Sequence, residues 1–261
     1  MVGPWCFLDH IGPVEFGGDG LIDVAPHPHI GLQTATWIIE GELLHKDSLG
    51  YVQPLRPGAL NLMTAGRGIS HSEESPADRG PRMHGVQFWI ALPRDQAGVA
   101  PAFEHHATLP SHERDGVQVT VFVGALDGLT SPATVYSPLC GAELVARSSG
   151  TLSLPLEAGF EHGLMVTEGA CRLPEHDGPL VPGSLYYLGG RRAALSLQLE
   201  ANARLMLIGG APFKAPVHMW WNFVTHSRED IAQARSDWEN TDRFGQVSAY
   251  EKGRRLEAPA L

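Results

Sequence analysis

Two short strings in the first third of the chain carry residue types that do metal chemistry. His27-Pro28-His29 places two imidazoles at i and i+2, and on an extended backbone side chains two apart leave from the same face. Pro28 favours that backbone, because its ring fixes φ and disfavours helix for His27 before it. Alone the pair is a weak signal: 13 histidines in 261 residues give about one such pair by chance. A second dyad of the same geometry, His71-Ser72-Glu73, follows the Pro57-Gly58 turn and the Gly66-Arg67-Gly68 loop. Two such dyads on neighbouring strands can converge four ligands on one point. Three neutral imidazoles and one carboxylate suit a borderline divalent metal such as Fe, Ni, Cu or Zn, with positions left open on an octahedral ion. Ca and Mg prefer all-oxygen shells and fit poorly.

The elements that must position these dyads read as strands. Ile30 to Glu40 is rich in Thr, Ile and Trp, Ala59 to Ala65 alternates, and Met83 to Leu92 is aromatic and β-branched. Gly41, Pro57-Gly58, Gly66 to Gly68 and Pro93 fall where a small antiparallel barrel would turn its corners. Residues 95–115, with Pro101, Pro110, His105-His106 and many charges, show no clean period and read as a linker. Beyond Gly116 the pattern resumes as a weak internal repeat: Glu40-Gly41 is echoed by Glu168-Gly169, and LRPGAL at 55–60 by LVPGSL at 180–185. Two copies of one β unit is the economical reading. One helix is predicted, over SREDIAQARSDWE, with a capping-box-like start at Ser227 and Asp230 and with Ile231, Ala234 and Trp238 on one face.

The bulk numbers narrow the classes. At 261 residues, 43% of them hydrophobic, the chain can bury the cores of two domains without a disulfide or metal to help it fold. A formal charge of -10 repels phosphate backbones and disfavours direct nucleic-acid or anionic-membrane binding. Cys6, Cys140 and Cys171 are odd in number and far apart, which argues against a disulfide framework and for a reducing compartment. The N-terminus lacks a signal-peptide pattern and no apolar run approaches the ~18 residues of a membrane span. A soluble cytoplasmic protein is expected.

Other candidates have blander readings. A lone histidine on a β face, such as His45 or His84, is more often a hydrogen-bonded side chain than a partner of a metal site. Gln87 and Trp89 alternate out of phase with His84, so the three cannot all face one site. His105, His106 and His112 fall in the linker, where solvated side chains are the default. Glu74 points away from Glu73 on an extended segment. Glu161-His162 sits near the repeat's equivalent of the first histidine pair, but no H-x-H and no H-x-E accompanies it, so at best one ligand survives there. Trp220-Trp221 reads as a packing anchor ahead of the helix.

Three strings between residues 23 and 93, DVAPHPHIGLQTATWIIEGELLHKDSLG, RPGALNLMTAGRGISHSE and MHGVQFWIALP, closely resemble the pirin family of the cupin superfamily. The likeness extends to the WWNF and SREDIAQA segments. It implies an all-β fold of two tandem jelly-roll cupin barrels with a short C-terminal helix. Residues 1–110 would be a metal-binding domain and 111–261 a cupin-like domain without metal, its helix over 228–239. The resemblance implies that His27, His29, His71 and Glu73 hold one divalent transition metal, Fe(II) first, with Ni, Cu, Zn or Mn as alternatives. Many cupins have a glutamate ligand where this chain has Gln33, which strand phase through His27 and His29 puts on their face, so Gln33, His45 and His84 are the expected surroundings of the ligands. Pirins usually carry a strand before the Val2-Gly3-Pro4 segment, so Met1 is expected to be an internal start or the chain to be trimmed, exposing a strand edge.

The family offers two functions. One is a quercetin 2,3-dioxygenase, opening a flavonol with O2, in which Glu73 is the catalytic group that releases a metal bond to take the substrate proton. The other is a non-enzymatic, iron-dependent redox-sensing protein that binds a transcription factor or enzyme; the acidic charge suits a basic protein face. The partners expected are therefore a small aromatic substrate or a protein, with a monomeric chain.

Overall fold

The computed structural model describes residues 1–16 and 21–261. Its strands are β1 (Trp5–Glu15), β2 (Asp23–His29), β3 (Leu32–Glu40), β4 (Leu43–Asp47), β5 (Val52–Leu55), β6 (Leu60–Thr64), β7 (Ile69–Glu74), β8 (Arg82–Ala91) and β9 (Ala102–His106) in the first half. The second half adds β10 (Ser111–Arg114), β11 (Val117–Leu126), β12 (Leu129–Thr130), β13 (Leu139–Ala146), β14 (Gly150–Pro155), β15 (Glu161–Glu168), β16 (Cys171–Arg172), β17 (Leu185–Gly189), β18 (Ala194–Leu199) and β19 (Arg204–Gly210). A β20–β21 ribbon (His218–Trp220, Phe223–Thr225) then leads into the helix α1 (Arg228–Asn240). The fold is all-β with one C-terminal helix, as the turn-rich text predicts.

The first barrel pairs a five-stranded sheet, in the order β1-β8-β3-β6-β9, with a four-stranded sheet, β2-β7-β4-β5. The second has the path β10-β11-β13-β19-β15-β17 and a three-stranded sheet, β14-β18-β16. Neighbouring strands are antiparallel throughout these pairs. The strands form where β-branched and aromatic residues concentrate, as in VQVTVFVGAL of β11.

Two expectations need correction. Residues 95–115 do contain the break between the units, at 107/108, but they are not an unstructured linker: β9 pairs with β6 and β10 with β11. The histidines there have partners, His105 Nδ1 lying 2.7 Å from Asn61 Oδ1 and His112 Nε2 2.8 Å from Asp127 Oδ2. Short edge strands keep charged residues on their open side, which hides their period. The units are also discontinuous in sequence: Phe7–Ala107 joins Lys214–Leu261, and Met1–Cys6 joins Thr108–Phe213. The 107/108 break lies close to the expected boundary at 110, but the C-terminal segment with α1 belongs with the first barrel. Ile30 bridges Phe223, and Ile30, Phe223, Ile231, Ala234, Trp238 and Phe244 share one buried cluster. Ser227 caps α1 by accepting from the Asp230 amide, so the apolar face read from the sequence is the face that packs.

Candidate metal centre

The first dyad lies at the end of β2 and the second within β7, paired so that His27 stands directly across from His71. Cross-strand partners bring their side chains together on one face, and the i,i+2 step adds His29 to the same side. The ring centroids of His27, His29 and His71 are 4.4 to 5.0 Å apart. One nitrogen from each lies within 4.8 Å of the others, and all three residues are buried.

Second partners fix which nitrogen faces inward. A carbonyl oxygen can only accept, so His27 Nδ1 donates to Ala25 O at 2.9 Å and His29 Nδ1 donates to Asn222 O at 3.0 Å. Each ring then keeps a lone pair on Nε2. For His71 the proton is set by a chain of groups. The Asp47 carboxylate, buried on β4, already accepts from the amides of Leu49 and Tyr51, and it accepts from His45 Nε2 at 3.0 Å. His45 therefore has its lone pair on Nδ1, which lies 3.4 Å from His71 Nδ1. His71 is thereby protonated on Nδ1, and its Nε2 is buried with no hydrogen-bond partner. An orphaned, buried acceptor beside two more imidazoles that turn their Nε2 lone pairs to the same point is the mark of a metal ligand set rather than of ordinary packing.

The electrostatics agree. Burial holds His27 down at about 4, against the Ala25 bond that favours the charged ring, and lowers His29 and His71 well below the usual imidazole range. The mutual repulsion of the rings adds to this. Neutral imidazole is the form that binds a metal.

Glu73 follows His71 by two residues on β7 and is also buried. Burial pushes its carboxyl up to about 7, the Gln87 hydrogen bond pulls it back, and Asp9 adds a smaller push upward. Gln87 Nε2 donates to Glu73 Oε1 at 2.6 Å and lies 3.2 Å from Thr36 Oγ1. A carboxyl that titrates near neutrality is suited to proton transfer. Glu74 points the other way, to Lys46 and Lys252.

The expected surroundings divide. His45 abuts His71 and stacks on Phe103 with centroids 4.3 Å apart. Strand phase does not carry from His29 to Gln33, because β2 ends at His29 and Gly31, at φ +66°, turns the chain into the other sheet. A side chain at Gly31 would run into the Val224 carbonyl. Gln33 is buried on β3 and donates to Thr64 Oγ1 at 2.9 Å. His84 is paired instead with His10, Nε2 to Nε2 at 2.8 Å. Gln87 and Trp89, its out-of-phase neighbours, reach Glu73 and the edge of the His29 ring, the latter at 5.1 Å between centroids. Asp47 was legible as the end of a third same-face i,i+2 dyad, His45-x-Asp47, whereas the Asn222 carbonyl arrives from a distant segment and leaves no local signal.

The Pirin family profile matches residues 1–90 and that of the Pirin C-terminal cupin domain matches residues 142–245. A Pseudomonas aeruginosa protein, provisionally named a quercetin 2,3-dioxygenase, is 52% identical over 100% of this chain and 82% of its own length. A pirin-like protein of Caulobacter vibrioides is 38% identical over 92% of this chain and 84% of its own. The crystal structure of quercetin 2,3-dioxygenase from Acinetobacter baumannii superposes with a TM-score of 0.95 at 45% identity, covering 100% of this chain and 86% of the other. Among the described residues no helix is long and apolar enough to cross a membrane. With its three-histidine cluster able to hold a transition metal, two cupin barrels and these relatives, the chain belongs to the pirin family of the cupin superfamily.

Proposed function

We propose that this protein is a metal-dependent dioxygenase of the quercetin 2,3-dioxygenase type, with His27, His29, His71 and Glu73 holding one divalent transition metal, Fe(II) first, in the first barrel. The observation that carries the reading is the convergence of three buried imidazole nitrogens, one of them without a partner; Glu73, two residues after His71 on β7, lies outside that cluster as the carboxyl held near neutrality. A bound divalent ion there supplies Lewis acidity and a template for an enolate-type oxygen and O2.

The chain's own groups account for the proton. A flavonol must lose the proton of the hydroxyl beside its carbonyl before its ring becomes electron-rich. Glu73, a carboxylate when it ligates, would take that proton on releasing its bond to the metal. Gln87 holds Oε1, so Oε2 is the oxygen that would bind the metal and, once released, meet the substrate hydroxyl. Asp47 and His45 act through His71, fixing its tautomer. The ring of Trp89 against His29 keeps water from that side.

The test is to incubate iron-loaded protein with quercetin under O2 and follow loss of the flavonol absorption. Turnover is expected, with Glu73→Gln slower by about 10²- to 10⁴-fold, the usual worth of a positioned general base. Intact flavonol in the presence of fully loaded protein would overturn the enzymatic reading and favour the redox-sensing, protein-binding one.

A further inference from the structure

The second barrel buries a histidine that nothing satisfies. His162, near the start of β15, is fully buried, and neither of its ring nitrogens has a hydrogen-bond partner. A neutral imidazole carries one donor and one acceptor, and leaving both dry and unpaired is costly enough that such groups call for a missing partner.

Register shows what stands beside it. Gly209 on β19 pairs with His162 on β15 and, on its other side, with Cys140 on β13. Residues directly opposed across a sheet share a face, so the three form a row with the glycine in the middle. A Cβ on Gly209 would lie 3.0 Å from His162 Nε2 and 3.1 Å from Cys140 Sγ. Imidazole and thiol therefore lean over the glycine from opposite sides toward one point. Cys140 is a free, buried cysteine, and it also lines a cavity of about 360 Å³ together with Asp127, Glu157 and Phe160.

We propose that Cys140 and His162 form a two-coordinate site for a soft monovalent cation of the Cu(I) class. Sulfur and imidazole donors select soft ions, and a closed-shell monovalent ion is content with two ligands in line. Charge decides against a divalent ion. As the S–Cu bond forms, the Cys140 S–H bond breaks and the proton leaves to solvent, with no change in oxidation state. Thiolate and monovalent cation then cancel, which suits an interior made of Val119, Leu144, Leu164 and Leu205. A divalent ion would leave a net positive charge there without a third ligand. Asp127 at the cavity is already paired with Arg114 and His112, and Arg192 offsets Glu157 near His162, so binding rests on the two donors and not on the surrounding charge.

This site is independent of the iron site in the first barrel, and its test reads the two separately. Iron-loaded protein is titrated anaerobically with Cu(I) against a competing Cu(I) chelator. Close to one copper per chain is expected, with a thiolate-to-copper charge-transfer band in the ultraviolet and iron content unchanged. Cys140→Ser should abolish the band and the retained copper, His162→Gln should weaken retention at least ~10-fold, and Cys6→Ser should change neither. Copper-edge absorption of the wild type, which needs no variant, should show one sulfur and one nitrogen neighbour. No retained copper, retention unaffected by Cys140→Ser, or copper bound only by displacing iron would each overturn the proposal.

Discussion

The second barrel closes over Val119, Val121, Leu144, Leu152, Leu195, Leu197 and Leu205, whereas β2, β3, β4 and β7 of the first barrel bury His27, His29, Gln33, Thr34, His45, Asp47, His71 and Glu73. Both are antiparallel barrels of similar strand order, so the difference lies in what the inward positions are asked to do. A leucine interior is stabilised by its own dehydration and packing. A histidine interior is held neutral against its ordinary pKa and keeps acceptors unpaired until a ligand arrives. Apart from His162 and Cys140, one barrel is packed as a scaffold. The other trades stability for a preorganised ligand set.

The largest effect that would sharpen this contrast is a truncation in the leucine barrel. Leu205→Ala, at a fully buried position, should destabilise the protein by about 2–5 kcal/mol, read from denaturant melts. In the histidine barrel, His71→Leu should change the metal-free melt far less than Leu205→Ala, because it removes one orphaned ring nitrogen and leaves another, His45 Nδ1. The same variant should lose the stabilisation that metal gives the wild type, about 2.7 kcal/mol at a metal concentration of 100 Kd. A metal-free melt lowered as much as by Leu205→Ala would break the comparison.

Acid gives a smaller effect whose sign is fixed by the shifts. His27, His29 and His71 have folded pKa values below the ordinary 6.5, His27 at about 4. As pH falls from 6.5 toward 4 the unfolded chain takes up their protons first, and stability is lost. Glu73 runs the other way: raised from 4.5 to about 7, it contributes stability below 4.5 that is lost as pH rises through 7. Three opposing histidines outweigh one carboxyl, so metal-free protein should lose stability between pH 6.5 and 4.5 at about 1.4 kcal/mol per pH unit for each net proton. Glu73→Gln should steepen that loss. Stability flat or rising on acidification would contradict the buried neutral rings.

The smallest effect concerns Glu73 itself. Direct ligation requires its ionised form, so metal uptake near pH 7 should release a fraction of a proton that Glu73→Gln does not release. Calorimetry in buffers of different ionisation enthalpy measures this. Equal release from both proteins would remove Glu73 from the ligand set.

The dyads were legible because an i,i+2 step encodes both strand geometry and a shared face, and β2 and β7 pair so that the histidines meet. The same step does not reach Gln33, since periodicity holds only while the strand lasts and Gly31 ends it. Edge strands β9 and β10 escaped notice because their polar side chains carry no apolar alternation. That Lys214–Leu261 belongs with the first barrel depends on Phe223 meeting Ile30, a long-range contact that no local pattern announces. The Asn222 carbonyl that orients His29 was hidden for the same reason.

The central claim, that three buried imidazoles of the first barrel hold the metal, is tested most directly by elemental analysis of iron-reconstituted wild type, His27→Ala, His71→Ala and His162→Gln. Close to one iron per chain is expected in the wild type and in His162→Gln, and almost none in the two first-barrel variants. Equal iron in wild type and both first-barrel variants would contradict it.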